Sequence, residues 1–260
     1  MSSPPWAISV ASYNLLCDAY IKPEHYPLVA PEDFLPENRH PKLDARVETL
    51  GTDVICAQEI DYATFKRLDD RLRQRGYRGR WAHRGGGKAD GCATFVRAPW
   101  TMKALVAFDF DDGPRKPSNR IATFSVIARG PHVAAVVNVH FEWHRDDAPE
   151  EQRHGLHQAT QLLMRLVDHR TVVVCGDFNV GPEDEILDLF RKSGFLDPHP
   201  ASFSTFNLGG SPRKIDFILH SSDLAATPSP TTLVRADTPL PSSTEPSDHV
   251  PLIATFAPRA

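Results

Sequence analysis

The apolar run Thr171-Val-Val-Val-Cys175 passes without a break into Gly176-Asp177-Phe178-Asn179. A short β-branched run of this kind is a buried strand. Whatever fold the chain adopts must therefore bring a carboxylate and a carboxamide to the mouth of a buried strand. If the backbone stays extended, the i, i+2 spacing points Asp177 and Asn179 to the same face. Asp177 can accept a proton or help hold a cation. Asn179 can orient a phosphate or a water without adding a second charge.

The same feature recurs at other strand ends. Asn14 closes the run Ala7–Tyr13, and Glu59 follows Val54–Ala57. Asn138 and His140 sit at the end of Val133–Val139. Asp248-His249 precede Val250–Phe256, and Asp216 lies inside Ile215–Leu219. Taken singly, each has an ordinary reading as a turn, a helix cap, a core histidine or half of an ion pair. Taken together they point to a site, because charged groups embedded in apolar strands cost free energy unless paired or metal-bound. Chemically the set is an oxygen-rich metal site with two imidazoles. Carboxylate and carboxamide donors suit magnesium, with manganese as a substitute, rather than zinc. Such a metal polarises a phosphoryl oxygen and stabilises a leaving oxyanion. A carboxylate such as Asp177 can activate water. A histidine can stabilise charge on the phosphate, with a carboxylate behind it fixing its orientation. The reaction class is hydrolysis of a phosphoester.

Around these residues the pattern predicts one domain over 1–260, without an internal tandem repeat. Leu43, Val47 and Leu50 have helical spacing, as do Phe65, Leu68 and Leu72; a third helix follows Pro149 and a fourth covers Ile186–Phe190. Strands are expected at Tyr77–His83, Cys92–Arg97, Met102–Phe108 and Ile121–Ala128. The segment with Pro23, Pro27, Pro31 and Pro36 reads as too proline-rich for a helix. Arg84-Gly-Gly-Gly-Lys88 reads as a loop and Thr227–Ser247 as loop or linker. Many antiparallel strands with flanking helices imply a four-layer α/β sandwich: two packed, mainly antiparallel sheets with helices outside.

The net charge of −4 excludes a globally basic nucleic-acid surface. It is compatible with a nucleic-acid enzyme, because bound metal offsets a carboxylate pocket. Local basic residues are present: Arg84 and Lys88, Arg115 and Lys116, Arg120, Arg145, and Arg213 with Lys214. Cys17, Cys56, Cys92 and Cys175 lie in or beside apolar runs without a C-x-x-C pair, as buried free thiols would in a reducing cytoplasm. No apolar stretch reaches membrane length, and a membrane partner is not expected.

In order and content, Tyr13-Asn14, Ala57-Gln-Glu-Ile60, Asn138-Val-His140, Gly176-Asp-Phe-Asn179, Ile215-Asp-Phe-Ile218 and Ser247-Asp-His249 resemble the endonuclease/exonuclease/phosphatase superfamily. Asn14-Leu-Leu-Cys-Asp-Ala-Tyr20 with His25-Tyr-Pro27, Lys88-Ala-Asp-Gly-Cys-Ala93 and Asn138-Val-His-Phe-Glu-Trp143 look like its deadenylase, nocturnin and Angel branch. The resemblance implies a DNase I-like fold and a set of roles. Glu59 would be the principal magnesium ligand, with Asn14 and Asp248 nearby. Asp177 would activate water or hold a second metal, and Asn179 would orient water or phosphate. His249 would contact the scissile phosphate and Asp216 would orient it. Asn138 and His140 would complete the phosphate pocket.

That branch clamps an adenine between a proline and a phenylalanine. Here the proline is displaced to Pro149 and the aromatic to Phe206, so the resemblance does not carry adenine selectivity. Arg213 and Lys214 suggest an added phosphate contact. Lys88 and Arg120 are further candidates for substrate binding, and Tyr20, Trp143 and Phe206 for base stacking. The implied partner is a single-stranded RNA 3′ end, attacked by a monomer without an adaptor-binding repeat. Two activities fit: stepwise 3′→5′ hydrolysis, or removal of a terminal or 2′,3′-cyclic phosphate. A small-molecule phosphatase and a non-catalytic binding module are the remaining alternatives.

Overall fold

Every strand run read from the sequence forms a strand, and the chain adds four short ones. The computed structural model describes residues 6–113, 117–145, 147–149, 152–230 and 232–259. Arg115 and Lys116 lie outside the described residues. The elements are β1 (Ile8–Asn14), α1 (Pro36–Thr49), β2 (Val54–Gln58), α2 (Tyr62–Arg73), β3 (Tyr77–His83), β4 (Gly91–Arg97), β5 (Thr101–Asp109), β6 (Ile121–Arg129) and β7 (His132–His140). They continue with α3 (His154–Leu166), β8 (Val172–Asp177), α4 (Glu185–Lys192), β9 (Phe195–Leu196), β10 (Phe206–Leu208), β11 (Ser211–Arg213), β12 (Asp216–Ser221), β13 (Leu224–Pro228) and β14 (Leu252–Pro258).

Two six-stranded sheets face each other, ordered β13-β14-β1-β2-β4-β3 and β5-β6-β7-β8-β12-β9, with β10 and β11 as a separate hairpin. Three apolar layers glue four structural layers, as the sequence pattern predicts. Leu43 and Val47 of α1 and Phe65, Leu68 and Leu72 of α2 cover the outer face of the first sheet. Val10, Val54, Val136, Val173 and Ile218 fill the space between the sheets. Leu162 of α3 and Ile186 and Phe190 of α4 cover the outer face of the second.

Each sheet holds one parallel pair, β1 with β2 and β7 with β8. A parallel pair needs a crossover, supplied here by α1 and α3. The carboxyl ends of both pairs lie at the same end of the sandwich. Register then stacks polar residues there: Asn14 beside Gln58, His140 beside Asp177, and Asp177 beside Asp216.

Two expectations need correction. α1 starts at Pro36 and runs through Pro41, although that segment reads as too proline-rich. Pro36 at the first helical position loses no hydrogen bond that a helix start would have made. The helix is further held by the buried Arg39, whose guanidinium donates to the carbonyls of Leu15 and Leu16 and, through Nε at 2.7 Å, to that of Pro246. The 227–247 stretch is loop, as one of the two expected readings had it, but not a linker: β13 overlaps its start, and Val234 and Leu240 bury against Val250. Tyr13 and Arg46 both bond Glu245 near its end.

Gly176 is fixed by close packing of the parallel pair. Its φ is +146°, and a Cβ would sit 1.9 Å from the Val139 carbonyl oxygen. We expect Gly176→Ala to destabilise the fold by about 3 kcal/mol, read by denaturant unfolding. A loss below about 0.5 kcal/mol would mean that the two strands separate freely at this point.

Candidate active site

Phe178 explains how the loop after β8 presents its polar residues. It is fully buried and packs edge-on against Phe141 and Phe217, at 5.1 and 5.2 Å between ring centroids. With that ring driven into the core, Asp177 and Asn179 on either side turn toward the strand ends. They do not share an extended face, because Asn179 adopts φ +57°. Glu59 (+49°) and Leu16 (+54°) turn the same way after β2 and β1. A non-glycine residue in this region costs about 1 kcal/mol or more, so the chain is bent against its preference where the site forms.

Asp177 is held from two sides. Asn14 Nδ2 donates to Oδ2 at 3.0 Å and the Asn179 amide donates to Oδ1 at 2.9 Å. His140 Nε2 lies 3.5 Å from Asp177 Oδ2 and 3.8 Å from Glu59 Oε1. His249 Nδ1 bonds Asp216 Oδ2 at 2.8 Å, while its Nε2 lies 3.8 Å from Asp177 and 3.9 Å from Asp248. Thr205 Oγ1 donates to the same Asp216 oxygen at 2.7 Å. Tyr26 donates its hydroxyl to Asp248 Oδ2 at 3.0 Å.

These contacts set the charge states. Burial would lower the His249 pKa, but the charges of Asp216 and Asp248 and the Asp216 bond raise it to about 10. His249 is thus an imidazolium at neutral pH. His140 is pushed well below its ordinary value, first by burial and then by Arg120 and Arg84, so it is a neutral imidazole. Burial, with Asp216 and Glu59 nearby, pushes Asp177 up to about 7 against the opposing pull of His249. Burial and then Asp248 raise Glu59.

The donor set suits a cation. Glu59 accepts a 3.3 Å bond from the Cys17 amide but has no arginine or lysine partner among the described residues, and Asp248 reinforces its negative field. Two buried carboxylates in that relation are the chemistry a hard divalent ion relieves. Asp177, Asp216 and His249 form a second group able to hold a metal, their donor atoms lying within 4.8 Å of one another. The hydrogen bond between Asp216 and His249 already occupies part of that set.

The site opens into a cleft of about 580 Å³. Its floor is Glu59, His140, Asp177, Asn179, Asp248 and His249. Trp143 and Arg120 line one side, and Phe206 and Arg213 another. Arg120 Nε donates to Glu142 at 2.6 Å, whereas its Nη1 is buried without a partner among the described residues. Lys22, Leu208 and Ile215 also line the cleft. The sequence assigned no role to them or to the supports Tyr26 and Thr205; Ile215 and Tyr26 lie within the motifs that carry the family resemblance, but an apolar side chain or a lone hydroxyl does not announce chemistry.

Several site residues expected from the sequence do not reach the cleft. Asn138, expected to complete a phosphate pocket, does not line the cleft. It is fully buried, its Nδ2 donates at 3.0 Å to the carbonyls of Ala57 and Ala93, and its Oδ1 accepts from Gln58 at 2.7 Å. Asn14 is buried beside the site and orients Asp177 through Nδ2, while its side-chain Oδ1 accepts from the Leu16 backbone amide at 3.0 Å. Lys88 sits exposed on its glycine loop and does not line the cleft. Lys214 is buried the other way: Nζ pairs with Asp197 at 2.5 Å and donates to the carbonyls of His199 and Pro200. Arg213 ends β11 and lines the cleft, whereas Lys214, one residue beyond that strand, is turned away from it.

Residues 11–249 match the model of the Endonuclease/Exonuclease/phosphatase family. The chain belongs to that family, whose members are hydrolases of phosphoric esters. It is 27% identical over 237 residues to carbon catabolite repressor protein 4 homolog 6 of Arabidopsis thaliana, covering 75% of this chain and 31% of that protein. It is 23% identical over 327 residues to the CCR4-Not complex 3′-5′-exoribonuclease subunit Ccr4 of Candida albicans, covering 95% of this chain and 41% of that protein. The chain thus spans about a third of the length of these relatives. Among solved structures, ANGEL2, a 2′,3′-cyclic phosphatase in complex with adenosine-2′,3′-vanadate, superposes with a TM-score of 0.80 at 19% identity, covering 98% and 97% of the two chains. The expected four-layer fold is thus shared with this family.

The Lys214–Asp197 pair yields a stability prediction. Burial would raise Asp197, but its bonds to His199 and the Lys214 charge hold it below the ordinary value. A depressed carboxylate contributes stability that is present above its unfolded pKa and lost as pH falls through the folded one. Lys214→Met should destabilise by about 3 kcal/mol at pH 7. The gap to wild type should narrow below about pH 4, where protonation removes the unpaired charge. A gap independent of pH would refute the pairing.

Proposed function

We propose that the protein hydrolyses phosphodiester or phosphate bonds at the 3′ end of single-stranded RNA, with Mg²⁺ as its cofactor and Mn²⁺ as a substitute. The observation that carries this reading is the cleft itself. Carboxylates and imidazoles converge on its floor, cations line its walls, and aromatic rings stand at its sides. Phosphate needs the first two, and an unstacked base needs the third.

Glu59 and Asp248 would hold the metal, which when bound polarises the phosphoryl group and stabilises the leaving oxygen. Asp177, fixed by Asn14 and the Asn179 amide, orients the attacking water and takes its proton as the new P–O bond forms and the ester bond breaks. His249, charged and held by Asp216, stabilises the negative oxygens of the phosphate. His140, neutral, stands with its Nε2 3.5 Å from Asp177 Oδ2 at the edge of the cleft. The side chains of Arg120 and Arg213, which line the cleft, supply substrate contacts. Trp143, Phe206 and Tyr20 supply stacking surfaces.

The stepwise 3′→5′ activity is favoured by similarity over nearly the whole chain to a protein named as a 3′-5′-exoribonuclease subunit. Removal of a terminal or 2′,3′-cyclic phosphate is the second reading. Its terminal-phosphate form is favoured by three cations in one cleft, Lys22, Arg120 and Arg213, which suit the second charge of a phosphate monoester. The four free, buried cysteines fit a reducing compartment such as the cytoplasm.

A 5′-labelled RNA of mixed sequence, ending in hydroxyl, phosphate or 2′,3′-cyclic phosphate, separates the readings in the presence of Mg²⁺. A descending ladder from the hydroxyl end identifies the exonuclease, and conversion to a hydroxyl end without shortening identifies the phosphatase. Glu59→Ala and His249→Ala should each lower the rate about 1,000-fold; Glu59→Ala should keep the wild-type melting profile, whereas His249→Ala strips buried Asp216 of its partner and should melt lower. No change in any RNA would sink the RNA reading.

A further inference from the structure

The two sheets end in four edge strands, β3 and β13 on the first and β5 and β9 on the second. An open edge is a row of free backbone donors and acceptors that recruits another strand unless brevity, proline, charge or cover blunts it. Three of the four edges are blunted. β9 has two residues, β13 has five and ends in Pro228, and β3 carries Arg78, Arg80 and His83. β5 is different. It is nine residues long and uncharged from Ala104 to Phe108, and Val106 is 57% exposed. Among the described residues, it pairs with β6 alone. Its bulge falls at Lys103, between Met102 and Ala104, so the regular edge available for pairing is the uncharged run, with Lys103 and Asp109 at its two ends.

The charges that flank this run complement one another across a two-fold axis. When a second copy is laid antiparallel with Val106 on the axis, Ala104 faces Phe108 and Leu105 faces Ala107. Lys103 then faces Asp109, and symmetry repeats that pair. Opposite charges directly across an antiparallel pair are favourable and like charges are not. An isologous contact of this kind closes on itself and leaves no further edge free.

We propose, against the monomer expected from the sequence, that β5 is the interface of a homodimer in which the two second sheets join antiparallel about Val106. The order β5-β6-β7-β8 keeps the interface three strands from Asp177, so both clefts stay open.

Sedimentation equilibrium of the full chain up to about 1 mM tests this. Wild type should reach twice the monomer mass. Lys103→Asp places like charges across the axis and should weaken association at least about 10-fold. Adding Asp109→Lys to that variant should restore it. Val106→Lys should give a monomer throughout, with the wild-type melting curve showing that the fold survives. A wild type that stays monomeric at the highest concentration overturns the proposal. So does a dimer indifferent to Lys103→Asp and Val106→Lys, which would place the contact elsewhere. Failure of the double exchange to restore association overturns the register.

Discussion

The fold and the site both depend on Asn138 bridging the two sheets. A sandwich glued only by apolar side chains can slide, because hydrophobic contact has no direction. Asn138 supplies direction. It rises from β7 and bonds the carbonyls of Ala57 on β2 and Ala93 on β4, while Gln58 bonds back to it from the first sheet. In a dry interior each of these groups would be costly to strand, so the two sheets meet in one relative position. That position sets the distance between Glu59, just beyond β2, and His140 and Asp177 at the ends of β7 and β8.

On that frame the chain concentrates negative charge. Glu59, Asp177, Asp216 and Asp248 gather at one end of the sandwich, and His249 is the imidazolium among them. Such a cluster works against the stability of the protein alone. Residues that do no chemistry limit the damage. Thr205 supports Asp216, Tyr26 supports Asp248, and Asn14 supports Asp177. Each accepts part of the desolvation cost that an ion would otherwise have to relieve. The left-handed turns at Leu16, Glu59 and Asn179 are the backbone counterpart of this arrangement.

Much of this was legible in the sequence. The strands carry apolar runs with polar ends, so Asn14, Glu59, Asp177, Asp216, Asp248 and His249 could be picked out before any coordinates. What was not legible depended on partners far along the chain. Asn138 and His140 look alike at the end of one strand, yet one braces the two sheets and the other lines the cleft. Lys214 reads like Arg213 until Asp197 is placed beside it. α1 defies its prolines because Arg39 is anchored to carbonyls at 15, 16 and 246. The stretch 227–247 has the composition of a linker but ends in Glu245, which Tyr13 and Arg46 hold in place. Composition reports local preference, and tertiary hydrogen bonds overrode it in each case.

The bond from Ser247 Oγ to the Asn14 carbonyl, at 2.7 Å, spans 233 residues of chain. It ties the segment bearing Asp248 and His249 to the first strand. Loop closure of that length carries an entropic penalty that only late, cooperative contacts repay. The order of events during folding follows from it. Either sheet can begin to collapse during synthesis, but the phosphate site cannot exist in any partial form until the last strand has docked beside the first. A nascent chain therefore carries no competent hydrolytic centre, and activity arrives with the final step of folding.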